Sequence, residues 1–560
     1  MKLFALSYIL FSILFNTACN KPKKPEGKTA ASVRLGIDLS NPSQQVIKNI
    51  FSDVNLWDFR GDWTTKANGK PANYFSENFP FVKHIQFMTA TGGNATRDLL
   101  INPTDINNLK DYKFSEIISA LRNVVKQGLK PMIKTGSVPF KYSKNPYVGS
   151  FGVNVRPPAN YDMYYDYIKA LADECIAIFG IGEVTTWSWG VLTEYENRDW
   201  FAVEGDDPEA TKIAYFKLYD YTVAALQASI GAANLKVGAH SMTTIKGLWN
   251  EFEFIDHVAK GTNYKTGKTG TQINFLCSSF YEKTPGIIAE NAQSGSEVIQ
   301  ALRYRAEQNG LTDLEYGIDE GRILSGPAED GRDLTSRVVG FTFQAASDAR
   351  MFKNMTDVNA DWVATWCLLT DGMWGGIPPI GTHIASLGYK MAGNNRLDLK
   401  VSGRAANNGN EVNGIAACNK MTGVIQLMVY NYNADMNASS AEKPVIIIDN
   451  INPATGNTVT VKQWIVDDTH ANFWPTWWKD MHIHGLTKES YNWSMYSIDL
   501  PQNLLKPSDK DFWNTKEASY KMLSQLESKT SSVNVKNNTL TLNPMLEHHA
   551  VVFYEITNVK

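Results

Sequence analysis

Acidic residues follow two short apolar runs that lie far apart in this chain of 560 residues. The first run, Thr186–Leu192, is rich in tryptophan and β-branched residues and is followed by Glu194. The second run, Leu314–Ile318, is followed by Glu320. Strands of a parallel barrel are apolar along their length and carry functional groups at their C-terminal ends. Two carboxyl groups that meet at such an end are what cleavage of a glycosidic bond requires.

Each of these carboxylates has a rival in its own segment. Glu196 lies two residues after Glu194, in a loop where the register is easily misplaced, and most glutamates are exposed residues without a catalytic role. Asp319 directly precedes Glu320. Because successive residues of a strand face opposite sides, we expect only one of the latter two to face the barrel interior. We expect Glu194 and Glu320 to be the functional pair.

Strand and helix patterns alternate between 81 and 393. This alternation predicts parallel strands closed into a (β/α)8 TIM barrel of the α/β class. Helical patterns such as Phe114–Gln127 and Tyr161–Phe179 each end at a glycine. The polar segment Asn41–Phe79 receives no assignment. In chain order, the main predicted strands are Phe81–Met88, Lys130–Thr135, Thr186–Leu192, Leu235–His240, Ile273–Tyr281, Leu314–Ile318 and Asp361–Leu369.

The hydrophobic pattern changes after about residue 395. Short alternating runs between Asn, Gly and Pro turns predict an all-β sandwich domain over 396–560. We place the catalytic barrel over 33–395, with the alternative that its first strand, Val33–Leu39, joins the sandwich. Within the sandwich region, His482 and His484 would share one face of a strand. With no third ligand in the sequence, we interpret them as structural residues and not as a metal pair.

The composition is that of a globular protein with a large core, because 43% of the residues are hydrophobic and 20% are charged. A net charge of −3 gives no electrostatic reason to expect a nucleic-acid partner. The five cysteines are widely spaced and form no CxxC motif, so neither a zinc site nor a disulfide framework is indicated. We expect no metal and no cofactor.

The N-terminus has the features of an export signal. A lysine precedes the apolar run Phe4–Phe15, which is too short to span a bilayer. Asn16–Cys19 resembles a bacterial lipobox, which predicts a signal peptide over 1–18, lipidation of Cys19 and a tether over 19–32. An ordinary secretory signal is the alternative. A lipid anchor attaches a protein to a membrane without crossing it. Because no acidic cluster follows Cys19, we expect the periplasmic face of the bacterial outer membrane, with the cell surface as the alternative.

Several motifs resemble family 39 of the glycoside hydrolases, a clan A family with β-xylosidases and α-L-iduronidases. Arg156–Tyr161 is similar to the family's Pro-Pro-x-x-Tyr turn, and Gly182–Trp187 to its lead-in to the acid/base strand. The family's Trp-Asn-Glu-Pro-Asn pattern falls on Leu192–Glu196. The resemblance implies a barrel with a β-sandwich and retaining hydrolysis of a plant- or host-derived oligo- or polysaccharide. It also implies that Glu194 is the acid/base and Glu320 the nucleophile.

The chain departs from the family pattern at positions that contact the sugar. Thr193 stands where the family has an asparagine that touches the sugar 2-OH, so we expect this contact to be weakened. Tyr281 is a candidate to hydrogen-bond the nucleophile, and Trp366 a candidate platform for a sugar ring. His240 is a candidate to line the pocket. For each of the last three, a purely structural role is the alternative.

Two other functions are compatible with the same barrel, because fold does not fix function. A non-catalytic carbohydrate-binding protein would turn one carboxylate toward solvent. A polysaccharide lyase would carry a Tyr/His/Arg cluster in place of the carboxyl pair. Arg322 lies shortly after Asp319 and Glu320. It either binds an acidic sugar or screens the two carboxylates, and we favour screening.

Overall fold

The computed structural model describes residues 32–56, 70–242, 246–283, 294–324, 342–365, 376–403, 409–487, 490 and 504–560. These residues form a closed barrel of eight strands with surrounding helices and two separate β-sheets. The predicted fold class, a (β/α)8 barrel with a β-sandwich domain, is confirmed. The predicted signal peptide, the lipidation site Cys19 and the predicted sugar platform Trp366 lie outside the described residues.

The first strand, β1 (Arg34–Asp38), lies outside the barrel. It pairs antiparallel with Leu399–Ser402 and parallel with Val445–Asp449, both of which belong to the second domain. The side chains of Leu35 and Ile37 are buried in the core of that domain. Placing the start of the barrel at residue 33 was therefore wrong, and the alternative that this strand joins the sandwich is correct.

The barrel strands follow one another around the ring in chain order and pair in parallel. The first of them falls in the polar segment to which we assigned no structure. It is short, and its Asp53 and Asn55 side chains hydrogen-bond other barrel residues, so it lacks the apolar signature of a buried strand. The barrel strands are β2 (Asp53–Leu56), β3 (His84–Phe87), β4 (Lys130–Thr135), β5 (Ser188–Val191), β6 (Lys236–Ser241), β7 (Phe275–Lys283), β8 (Glu315–Leu324) and β9 (Trp362–Thr365).

The helices begin and end at residues suited to those positions. Asn160 accepts hydrogen bonds from two backbone amides at the start of one helix, and Gly180, at φ 80°, ends it. None of the described helices is long and apolar enough to cross a membrane. The helices are α1 (Tyr74–Asn78), α2 (Ser115–Lys126), α3 (Tyr161–Phe179), α4 (Ile181–Val184), α5 (Pro208–Ile230), α6 (Phe252–Lys260), α7 (Gly295–Gln308), α8 (Phe343–Asp357), α9 (Ile380–Met391), α10 (Trp474–His484) and α11 (Pro507–Leu523).

The second domain contains a four-stranded sheet and a six-stranded sheet that bury apolar side chains between them. The other face of the six-stranded sheet packs against the barrel helices through residues such as Met428 and Phe553. Besides β1, the strands of the second domain are β10 (Asn395–Leu397), β11 (Leu399–Ser402), β12 (Glu411–Cys418), β13 (Ile425–Tyr432), β14 (Val445–Asp449), β15 (Thr458–Val466), β16 (Ser528–Asn534), β17 (Thr539–Leu542) and β18 (Val551–Thr557). The sheet orders are β11-β1-β14-β17 and β10-β12-β13-β18-β15-β16.

Helices α10 and α11 lie in the connection between β15 and β16 and cover the C-terminal face of the barrel. Their aromatic side chains form one buried cluster with residues of the barrel. The barrel members are Met88, Val153, Trp200 and Ile377, and each of them follows the C-terminal end of a barrel strand. The insertion therefore covers the face on which the acidic residues lie.

The all-β description of 396–560 was incomplete because it missed these two helices. His482 and His484 lie on α10 and not on a strand. Residues two apart on a helix do not share a face. His482 Nδ1 lies 2.7 Å from the backbone oxygen of Trp478, and His484 Nε2 lies 3.1 Å from Asp509 Oδ1. These are structural contacts.

Glycines inside the barrel leave room for large side chains from a neighbouring strand. A Cβ on Gly317 would lie 2.2 Å from the Trp362 ring, and one on Gly238 would lie 2.3 Å from Phe275. A Cβ on Gly190 would lie 3.0 Å from the Cγ of Lys134. The barrel interior is therefore tightly packed.

Gly317→Ala is expected to destabilise the protein by about 1–3 kcal/mol, because the added methyl group must displace the Trp362 indole. The matched control is Gly182→Ala in α4, where an added Cβ meets nothing within 4 Å. That variant should be neutral or slightly stabilising. Urea unfolding measures both. Equal midpoints for the two variants would contradict this description of the interior.

Candidate active site

The two predicted carboxylates lie at the same end of the barrel. Glu194 follows the C-terminal end of β5, and Glu320 lies in the C-terminal half of β8. All barrel strands are parallel, so these positions belong to one face. Only 8% of Glu194 and 7% of Glu320 is exposed. Neither side chain is turned out to solvent. A carbohydrate-binding protein without catalysis was expected to turn one of them outward.

The loop after β5 holds Glu194 in an uncommon backbone conformation. Leu192 has φ 67° and Glu194 has φ 47°, in the left-handed region that residues other than glycine rarely adopt. Asn197 Nδ2 donates a hydrogen bond of 2.7 Å to Glu194 Oε2, and the Asn197 backbone amide donates to the Glu194 carbonyl. Such strain is typical of functional sites and persists only where neighbouring contacts hold the backbone.

Glu196, the rival of Glu194, serves the neighbouring loop. Its Oε1 accepts a 2.7 Å hydrogen bond from the backbone amide of Met242, and its carbonyl accepts one from Leu248. The side chain is 1% exposed and packs where Gly247 has no Cβ. Glu196 therefore attaches the loop after β5 to the loop after β6, and this role favours Glu194 as the functional residue.

A β-bulge at Asp319 changes the alternation of side chains on β8. Ser278 pairs with Ile318, but Ser279 pairs with Glu320, so Asp319 is an extra residue on this strand. Our expectation that only one of Asp319 and Glu320 faces the interior was wrong, because it assumed a regular strand. With the bulge, Glu320 shares the side of the sheet that Asp319 occupies.

Tyr281 on β7 donates a hydrogen bond from its hydroxyl group to Glu320 Oε1. The contact that the sequence suggested for Tyr281 is therefore present. Ser279 and Tyr281, two residues apart on β7, pair with Glu320 and Arg322. Residues two apart on a strand lie on the same face, so Tyr281 extends the interior face of β7 toward the barrel mouth.

Asp319 forms a fully buried ion pair below the mouth. Its Oδ2 lies 2.8 Å from Lys134 Nζ, and neither side chain has any exposed surface. Gln86 Nε2 and Trp362 Nε1 each donate to Oδ1 at 2.8 Å. Burial opposes ionisation, but the charge of Lys134 outweighs it and holds the pKa of Asp319 below its usual range. Asp319 is thus an anion inside the barrel.

His240 lies next to this pair and uses both of its ring nitrogens inside the barrel. Nδ1 lies 2.8 Å from Lys134 Nζ, and Nε2 lies 2.8 Å from Ser279 Oγ. Burial and then the charge of Lys134 hold the pKa of His240 well below its usual range. A neutral ring that accepts at Nδ1 carries its proton on Nε2 and donates to Ser279. The geometry favours the structural alternative for His240.

Thr193, the predicted sugar contact, has no exposed surface. Its hydroxyl group lies 3.9 Å from Met88 Sδ, which in turn lies 3.3 Å from Lys134 Nζ. The structure therefore places Thr193 in the buried interior, next to Met88. No contact of this hydroxyl group with a sugar follows from its position.

Arg322 screens neither Asp319 nor Glu320 in the described structure. It has φ 101°, and its guanidinium group turns toward α8, where it donates to both carboxylate oxygens of Asp348. Gly381 on α9 leaves room for it, because a Cβ there would lie 2.3 Å from Arg322 Nη2. The screening role that we favoured was wrong. The change in φ at Arg322, which no strand pattern encodes, redirects the side chain.

Sequence reasoning missed the polar residues that support the carboxylates. Asn55, Gln86 and Lys134 all contact Asp319, and each lies on a different strand. One signal was available, since Lys134 stands within a predicted barrel strand and shares a face with the apolar Met132. Within the described ranges, no group of three or more His, Cys, Asp or Glu residues is arranged to hold a metal ion.

Residues 90–309 match the model described as "Glycosyl hydrolases family 39". Over 200 residues the chain is 29% identical to the beta-xylosidase of Caldicellulosiruptor saccharolyticus, an alignment that covers 36% of each chain. The chain therefore spans about a third of the length of this relative.

Solved structures match nearly the whole chain. A monomeric beta-xylosidase from Caulobacter crescentus CB15 has a TM-score of 0.63 and 14% identity, over 94% of this chain and 99% of that one. The GH39 enzyme from Xanthomonas axonopodis pv. citri has a TM-score of 0.64 and 14% identity, over 95% and 99%. At this identity the likeness establishes the shared fold.

Arg322→Met should destabilise the protein by about 3–5 kcal/mol at neutral pH, because it leaves a buried aspartate without its cation. Burial already raises the pKa of Asp348 despite the attraction of Arg322. Without Arg322, Asp348 is expected to be protonated when folded, so the cost should shrink as the pH falls toward about 4, where unfolded aspartate also binds a proton. Denaturant unfolding at several pH values measures this trend.

The control is Arg305→Met, which removes a surface ion pair with Asp256 in which the side chains are 44% and 37% exposed. Surface pairs contribute at most about 1 kcal/mol. A loss at Arg322 that is as small as the loss at Arg305 would contradict the buried ion pair.

Proposed function

We propose that this chain, a glycoside hydrolase family 39-like protein, is a retaining glycosidase. Glu194 is the general acid/base and Glu320 is the nucleophile. The observation that carries this proposal is the pair of largely buried glutamates at one end of the barrel, with Glu320 accepting a hydrogen bond from Tyr281. A retaining mechanism needs two carboxyl groups on opposite sides of the scissile bond.

In the first step, a Glu320 oxygen attacks the anomeric carbon and forms a C–O bond while the glycosidic C–O bond breaks. The leaving oxygen takes the proton of Glu194, so that the aglycone departs as a neutral alcohol. In the second step, Glu194 accepts a proton from water, and the water oxygen attacks the anomeric carbon. The bond to Glu320 then breaks, which restores the carboxylate and the protonated acid.

The neighbours of the two glutamates suit these roles. Asn197 holds the Glu194 carboxyl group through Oε2, and this fixes the direction in which the proton is delivered. The Tyr281 hydroxyl group orients the Glu320 carboxylate for attack. Placing a reacting group within a fraction of an ångström removes much of the entropic barrier to reaction. The chain thus supplies both the acid/base pair and the contacts that hold it.

Two observations count against the other candidate functions. Both carboxyl groups are more than nine-tenths buried, whereas a binding protein without catalysis has no need to keep two acidic groups in one buried mouth. A lyase would need tyrosine, histidine and arginine to gather there. Here His240 is occupied within the barrel, and Arg322 is turned to α8.

The substrate is an oligo- or polysaccharide of plant or host origin. The similarity to a beta-xylosidase makes β-xylosides the first compounds to assay. The buried position of Thr193 supports the expectation that the 2-OH contact is weakened, so simple β-xylosides should be poor substrates. A panel of aryl xylosides, arabinosides, galactosides and iduronides identifies the sugar.

We also propose that Cys19 carries a lipid that attaches the protein to the periplasmic face of the bacterial outer membrane. The short apolar run that ends in a small-residue site before Cys19 supports this, as does the basic, proline-containing tether that follows. An anchored enzyme of this kind would meet oligosaccharides that have already entered the periplasm.

Glu320→Ala should abolish hydrolysis. Azide or formate should partly restore cleavage, because the small anion enters the vacated site, attacks the anomeric carbon and gives a glycosyl azide or formate of inverted configuration. Glu194→Ala should spare dinitrophenyl glycosides, whose leaving groups need no proton, and should lose activity on natural glycosides. Initial rates and product configuration measured by NMR test both. Glu196→Ala serves as the control for register. If Glu196→Ala loses activity on natural glycosides while Glu194→Ala retains it, Glu196 is the acid.

Cys19→Ala should move the protein from the membrane fraction to the soluble fraction, because the lipid supplies the attachment. Fractionation followed by immunoblotting of cells that express each form provides the measurement. Persistence of the variant in the membrane fraction would contradict a lipid anchor at this residue.

A further inference from the structure

The bulge at Asp319 decides the direction in which Glu320 points. On a regular strand, Glu320 would face the helices, because Ile318 does so and residues two apart share a face. The extra residue moves Glu320 to the side that Tyr281 occupies. The same irregularity appears toward β9, where three steps from Ile318 to Gly321 oppose two steps from Val363 to Thr365. The position of the nucleophile thus depends on one inserted residue.

An inserted residue has no ladder partner, so its polar groups must be satisfied elsewhere. The carbonyl of Asp319 accepts a 2.5 Å hydrogen bond from Asn55 Nδ2 on β2. Its carboxylate is held at Oδ1 by Gln86 and Trp362 and at Oδ2 by Lys134. Side chains from four other strands therefore converge on this single residue.

The ammonium group of Lys134 is itself held from several sides. Besides Asp319, it contacts His240 Nδ1 at 2.8 Å and Met88 Sδ at 3.3 Å. His240 then reaches Ser279, the residue that pairs with Glu320 on the adjacent strand. Lys134 thus connects the bulged residue to the strand beside the nucleophile. With no solvent exposure, neither charge of the ion pair can move toward water.

We propose that Asn55 and Lys134 are positioning residues that fix the Asp319 bulge and thereby hold Glu320 in the barrel mouth. Asn55 acts on the main chain of the bulge, and Lys134 acts on its side chain. The inference rests on the proposed function, in which Glu320 is the nucleophile. It adds two residues that act on the reaction through Asp319.

The test compares Asn55→Ala and Lys134→Met with the wild-type enzyme on the dinitrophenyl glycoside that the wild type hydrolyses best. Active sites are counted by mass spectrometry after labelling of Glu320 with the corresponding 2-deoxy-2-fluoro glycoside. Both variants should lower kcat per labelled site by about ten- to hundred-fold, because a shift of about 1 Å in a reacting group costs up to about a hundred-fold in rate. KM should change less than threefold.

Lys141→Met is the matched control. Lys141 is also a buried lysine, with 1% of its side chain exposed, and it pairs with Asp111 in segments that lie outside the barrel strands. It should lose stability but keep kcat per labelled site within twofold of the wild type. Hydrogen–deuterium exchange at 315–322 should quicken relative to β6 in Asn55→Ala and Lys134→Met, and should stay unchanged in the control. Asn55→Ala removes no charge, so it keeps the test decisive if Lys134→Met does not fold.

Retention of wild-type kcat per labelled site by Asn55→Ala, together with unchanged exchange in β8, overturns the proposal. A wild type that hydrolyses no glycoside and takes up no label at Glu320 would instead overturn the proposed function. In that case the exchange rates of β8 still decide whether Asn55 and Lys134 hold the bulge.

Discussion

A lysine and an aspartate form an ion pair in the interior of the barrel, and the rest of the site is arranged around it. A buried charge without a partner costs several kcal/mol, so Lys134 and Asp319 must remain paired in the folded protein. Gln86 and Trp362 donate further hydrogen bonds to Asp319, and His240 contacts Lys134. Burial and then the charge of the same lysine hold the pKa of His240 well below its usual range and keep its ring neutral. The ion pair therefore orients the buried polar side chains below the two glutamates and influences the protonation of His240.

The second domain contributes to the catalytic face as well as to the stability of the fold. Its six-stranded sheet packs on the barrel helices with one face and on the four-stranded sheet with the other. From the same domain, α10 and α11 extend over the barrel mouth and bury Trp474, Trp477 and Trp513 against residues of the barrel loops. Large aromatic residues bury extensive apolar area, so this contact ties the two domains together at the site.

Three residues at or next to the site have a strained backbone conformation. Leu192, Glu194 and Arg322 all have positive φ, a conformation that residues other than glycine adopt at a cost of about 1–3 kcal/mol each. At Glu194, Asn197 and the hydrogen bond from Tyr195 to the His240 carbonyl hold the loop. At Arg322, the buried pair with Asp348 supplies the compensation. Strong local contacts thus maintain conformations that local preference disfavours.

The barrel, the sandwich and the two acidic segments could be predicted from the sequence. Apolar runs of strand length that alternate with amphipathic helices have few other solutions, and motif resemblance selected Glu194 and Glu320 as the candidates within their segments. Tyr281 was also within reach, because its spacing on β7 places it near the strand end. These features depend on residues close together in the chain.

Four other features of the fold could be recognised only in the folded chain. Short, polar β2 is recognisable as a strand only when Asn55 and Asp53 have partners across the barrel. β1 pairs with strands more than 350 residues away, and α10 and α11 become helices that cover the other domain. The fourth feature is the bulge at Asp319, which interrupts the in-and-out alternation of side chains that we had assumed for β8. In each case the deciding contacts join distant parts of the chain, and no local pattern records them.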